Sequence, residues 1–106
     1  MPDAALKTVL PALGMDASRA GAVTFTGGTD PILPTPFRIA DAGAATLAAT
    51  GLAADDLWAL RTGRRQLISV DVRHATASLR SGHYMKLGDG ELSAAHNSIM
   101  GVYPTK

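Results

Sequence analysis

Between Asp41 and Arg61 the chain is alanine-rich and free of proline, and this stretch limits the fold more than any other. Alanine has the highest helix propensity, so the spacing predicts one long helix, about 30 Å from end to end at 1.5 Å per residue. Its limits are marked on both sides. Asp41 is a good N-cap residue, and Gly63 stands where a helix end calls for φ > 0, with Arg61 placing a cation on the negative end of the dipole. Upstream, Pro31-Ile32-Leu33-Pro34-Thr35-Pro36 holds too much proline for a helix or a central strand and reads as an extended connector. Leu47, Thr50, Ala54, Leu57 and Trp58 fall near one side of the predicted helix. Ala44, Ala48 and Gly51 leave a groove for a close neighbour.

The flanking segments are shorter. Asp3 to Leu13 has apolar residues at helical spacing, with Pro11 near its end. Asp16 to Ala22 suits a helical turn, and Val23-Thr24-Phe25-Thr26 a strand stopped by Gly27-Gly28. After the long helix, Gln66 to Val72 alternates with Ile68, Val70 and Val72 on one face, and a second helix is expected over Val72 to Ser81. Gly88-Asp89-Gly90 has the composition of a hairpin turn, and Met100 to Tyr103 reads as a last strand. These elements predict an α/β class, a long Ala-rich helix with short strands. The chain reads as a single partial domain in three parts: 1–36 (helix, strand and Pro-rich connector), 37–81 (helix-turn-strand-helix module) and 82–106 (hairpin and strand).

Composition narrows the functions. Of 106 residues, 46% are hydrophobic, but much of that is alanine, and the aromatics are one Trp, two Tyr and two Phe. Alanine buries little area, so the expected core is thin and a partner surface is expected to complete it. A net charge of +1 provides no field for nucleic acid or an anionic membrane, and no apolar window is long enough to span a bilayer. The absence of cysteine rules out disulfides and thiolate metal sites and suits a reducing cytoplasm. His74, His83 and His96 lack metal-ligand spacing, so no metal is expected. Arg61, Arg64 and Arg65 read as solvated turn cations, Asp89 as a turn residue, and Trp58 and Met85 as core or interface side chains.

One set of positions carries more information. Asp41, Gly51, Thr62-Gly63-Arg64, Gln66, Val70 and Ala75 fall, without a gap, where family III CoA-transferases carry their characteristic residues, and the chain resembles that family over this block. Arg80-Ser81-Gly82-His83-Tyr84 is similar to divergent, longer members. The resemblance implies a fragment of the family III fold in which Asp41 is the catalytic nucleophile. It would exchange coenzyme A between an acyl-CoA and a carboxylic acid through an aspartyl intermediate. CoA is then a substrate, and its binding residues are not identified. The 40 residues before Asp41 are too few for the family's nucleotide-binding lobe, so the expected partner is the remainder of a longer enzyme or a second subunit of a homodimer. Two further readings stand beside it: a non-catalytic assembly module of the same descent, and an acyl-CoA racemase in which His74 moves a proton. A helix-capping aspartate is the ordinary alternative for Asp41 itself.

Overall fold

A computed structural model describes residues 1–84, 86–91 and 104. Helix α1 (Pro2–Ala12) is followed by a 3-10 turn (Ala17–Ala22), strand β1 (Val23–Thr26), helix α2 (Ile39–Thr62), strand β2 (Ile68–Asp71) and helix α3 (Val72–Ser78). A second 3-10 turn (Ser81–Tyr84) leads to the short pair β3 (Lys86–Leu87) and β4 (Gly90–Glu91). Strands β1 and β2 pair in parallel, from Val23 opposite Ile68 to Thr26 opposite Asp71. Parallel neighbours need a crossover, and α2 is that crossover, so β1-α2-β2 forms one β-α-β unit. The class is mixed α/β.

Most elements lie where the spacing places them. Pro11 sits inside α1, in its last turn, where few turns remain for its missing amide to disrupt. Asp16 caps the 3-10 turn by accepting from the Ser18 amide at 2.7 Å. Gly63 closes α2 at φ 69°, its amide donating to the Ala59 carbonyl at 2.8 Å. Gly88 takes φ 63° in the two-residue link of the antiparallel β3–β4 pair. The second helix stops at Ser78 and a separate 3-10 turn takes up Ser81, while the connector over 31–37 runs as a series of bends. Met85, His96 and the strand expected at 100–103 lie outside the described residues.

One expectation about α2 needs correction. Its N-cap is Arg38, not Asp41, and the capping carboxylate comes from elsewhere. Asp30 accepts from the amides of Ala40 (3.3 Å) and Asp41 (2.8 Å). Asp41 itself lies inside the first turn with its side chain turned away from the amides. The groove expected at Ala44, Ala48 and Gly51 is where the neighbours pack. The side turned to the core carries Ala44, Ala45, Ala48, Ala49 and Leu52, while Leu47, Leu57 and Trp58 stand 43, 51 and 41% exposed.

Small residues win the inner face because it lies against neighbours too close for larger ones. One cluster joins Leu6 and Leu10 of α1, Ala20, and Ala45, Ala48, Ala49 and Leu52 of α2. A second joins Ala40 and Ala44 to Val72 and Ala75 of α3. At Gly51 an added Cβ would stand 3.2 Å from Ile68 Cγ2, so the helix and β2 nearly touch there. Leu6, Leu10 and Leu52 are the largest apolar side chains with no exposed surface besides Val72. Burial of a leucine stabilises by about 1.5–3 kcal/mol, and these few residues carry much of a thin core.

Leu52→Ala is therefore expected to cost about 2–5 kcal/mol in urea denaturation, whereas Leu60→Ala, at a site 85% exposed, should stay within about 0.5 kcal/mol. At Gly27, φ is 80° and an added Cβ would lie 2.6 Å from Asp71 Oδ1. Gly27→Ala is expected to lower the melting temperature by about 4 °C or more, measured by circular dichroism.

Candidate functional site

Asp41 is 2% exposed, yet its surroundings are polar. The α-amino group of Met1 donates to Oδ2 at 2.7 Å, Arg38 donates to the same oxygen through Nε (3.1 Å) and Nη2 (2.8 Å), and the Thr29 hydroxyl donates to Oδ1 at 3.2 Å. Three parts of the chain converge here: the start of α1, the loop after β1, and the first turn of α2. Burial pushes the Asp41 carboxyl up, but the hydrogen bonds from the Met1 amino group and Arg38, the amino group's charge and the Thr29 hydroxyl outweigh it. The carboxyl ends below its ordinary value, ionised at neutral pH.

The two residues that cover Asp41 have exposed side chains. The side chains of Met1 and Arg38 are 79 and 69% accessible, against 3% for Asp41. A surface cavity of about 360 Å³ opens beside them, lined by Met1, Ala4, Ala5, Thr8, Arg38, Asp41 and Ala42. Oδ2 thus lies beside this cavity, behind the Arg38 guanidinium and the Met1 amino group.

A second ionic cluster lies at the far end of α2. Asp55 accepts from the Gln66 amide at 2.6 Å and from Arg65 Nη1 at 2.7 Å. Asp56 accepts from Arg19 Nη1 at 2.9 Å and from Arg65 Nη1 at 2.7 Å. These contacts tie the 3-10 turn before β1, the last third of α2 and the entry to β2 into one corner. The Gln66 amide, then Arg65, hold the Asp55 carboxyl below its ordinary value against a smaller effect of burial. Arg19 and then Arg65 bring Asp56 down to about 2. Arg65 is thus a structural cation here, whereas the sequence suggested only a solvated turn. The signal was present in the adjacent Asp55-Asp56 pair, but nothing in the spacing said which arginines would meet it.

His74 lies away from the Asp41 cavity: its side chain is 89% exposed and it lines a separate hollow with Leu47, Ser69, Val70, Asp71, Ala75 and Ser78. Asp71 accepts from the His74 amide at 2.9 Å as the cap of α3, and that bond holds its carboxyl low. Asp41 and His74 therefore share no cavity. Among the described residues there is no group of three His, Asp or Glu side chains able to hold a metal ion, and no helix is long and apolar enough to cross a membrane. Sequence reasoning missed Arg38 and Thr29 as neighbours of Asp41; Arg38, three residues before it, was the one legible from helical spacing. No protein-family model, curated protein or solved structure matches the chain.

The carboxyl shifts fix the pH response. Asp41, Asp55 and Asp56 all have folded-state values below their unfolded ones, so their contributions are complete above about pH 4 and fade as pH falls through the folded values, to about 2 for Asp56. Urea midpoints should decline as pH is lowered across that window. Asp55→Asn/Asp56→Asn is expected to be less stable than the parent at neutral pH and to show a shallower decline.

Proposed function

We propose that this chain carries the nucleophile of a CoA-transferase, Asp41, and exchanges CoA between an acyl-CoA and a carboxylic acid. The observation that carries the reading is an ionised carboxylate in the first turn of the longest helix, on the wall of an open cavity and paired there with the exposed Arg38 side chain and the Met1 amino group. The spacing from Asp41 through Gly51 to Thr62-Gly63-Arg64 supports it further.

In this mechanism the donor thioester enters the cavity, and Arg38 and the Met1 amino group swing off Oδ2. Asp41 attacks the thioester carbonyl carbon; the C–S bond breaks, CoA leaves as thiolate, and an aspartyl mixed anhydride remains. The thiolate attacks Asp41 Cγ, which expels the donor acid as its carboxylate and leaves CoA on the enzyme as a thioester. The acceptor carboxylate attacks Cγ and releases the thiolate, which then takes the acyl carbon of the second anhydride. Acceptor acyl-CoA departs and Asp41 returns to its ionised form. Splitting one transfer into these steps is the advantage of covalent catalysis. The reading includes a cytoplasmic setting and a CoA-binding lobe supplied by further chain or by a second subunit.

A second reading has its own support. Oδ2 already accepts from three N–H groups, and a carboxylate so occupied serves well as a tie between α1 and α2 in a non-catalytic assembly module. The two readings part in one experiment. Incubation with acetyl-CoA or succinyl-CoA followed by hydroxylamine should convert Asp41 to its hydroxamate, located by peptide mass spectrometry and absent in Asp41→Asn. An unmodified wild-type chain would leave the assembly reading in possession.

A further inference from the structure

Arg38 meets Asp41 in an unusual way for a guanidinium. Both of its N–H groups converge on one oxygen, Oδ2, at 3.1 and 2.8 Å, while Oδ1 accepts only from Thr29. The preferred arrangement is a fork, with two parallel bonds to the two oxygens of a carboxylate. The tether explains the compromise: the residues are three apart at the start of a helix, too close for the planes to align. A free carboxylate carries no such restraint and would meet the fork with both oxygens.

We propose that Arg38 is the binding residue for the acceptor acid, paired with Asp41 while that carboxylate is charged and released to the cavity when Asp41 is acylated. The inference rests on the nucleophilic role of Asp41. Attack on a thioester turns the Asp41 carboxylate into an anhydride and then a thioester, both neutral at Cγ. The anion that held Arg38 is then gone, and a side chain 69% exposed on the cavity wall is free to take another. Asp30 does not replace it, because its carboxylate is engaged by the amides of Ala40 and Asp41. Acceptor binding thereby becomes conditional on the covalent state: the resting enzyme excludes the acid, and the acylated one admits it.

The rest of the wall defines the acid. Ala4, Ala5 and Ala42 present methyl groups, and the Thr8 hydroxyl is spent on the Ala4 carbonyl at 3.1 Å. Among the described residues the wall carries one further cation, the Met1 amino group, which meets the same Asp41 oxygen as Arg38 and so adds to one anion site rather than making a second. The occupant is a small aliphatic monocarboxylate, with its carboxylate on Arg38 and its carbon chain against the alanines.

Asp41→Asn mimics the uncharged state without any transfer chemistry. Titrating butyrate into the purified chain, followed by isothermal calorimetry, should give saturable binding to Asp41→Asn at least about tenfold tighter than to wild type, the size expected for a charge-assisted pair. Arg38→Met/Asp41→Asn should lose it. Equal affinity for wild type and Asp41→Asn, or binding that survives removal of the guanidinium, overturns the proposal. Should Asp41→Asn fail to fold, Asp41→Ala decides: butyrate should restore folding or raise its melting temperature, and no gain at saturating butyrate overturns it. Failure of the hydroxamate experiment with successful butyrate binding would remove the transferase reading while keeping the anion site.

Discussion

The close approach of α2 to the two parallel strands and to α1 is the constraint on which the other features depend. It exists because the inner face of α2 is built from alanine, with Gly51 where Ile68 comes nearest. Small side chains let backbones approach, but they remove little apolar surface from water, so the gain per residue is low. Leucines at 6, 10 and 52 fill the places where the elements diverge. Apart from Leu52, the larger apolar residues of α2 fall on its outer side, at Leu47, Leu57, Trp58 and Leu60.

A core this thin leaves more of the positioning to polar contacts, and these sit at the two ends of α2. At the start, Asp30 reaches across from the loop after β1 to the first amides of the helix. Near the end, Asp55 and Asp56 bind Arg19, Arg65 and the Gln66 amide. Most of these contacts tie the helix ends to the adjoining loops, and Arg19–Asp56 also joins the 3-10 turn before β1 to the end of α2. Every buried side-chain nitrogen or oxygen among the described residues has a partner, as the low dielectric of an interior demands.

Asp41 stands where structure and chemistry compete for one oxygen. The charges that keep it ionised also occupy it. A nucleophile needs the first effect and must escape the second. Arg38 offers the way to reconcile them, because its side chain lies largely in solvent, while the other carboxylate oxygen is held by the Thr29 hydroxyl. In the proposed transfer, acylation would set free the same cover that keeps the carboxylate ionised.

Local chemistry alone determined the helices, the strand at 23–26, the left-handed glycine at 63 and the hairpin at 86–91, because propensity, φ preference and alternation act within a few residues. It also marked Asp41 as an N-terminal carboxylate of the main helix. Only the tertiary structure decided that β1 and β2 pair in parallel, since a long crossover leaves no register signal in the sequence. The small residues at 44, 48 and 51 marked the side of close approach in the sequence, but only the tertiary structure named α1, β2 and α3 as the neighbours that fill it. It also gave the capping role to Asp30 and the pairing role to Arg38. Several carboxylates near a helix start are chemically equivalent in sequence, and the path of the preceding loop settles which one meets the amides.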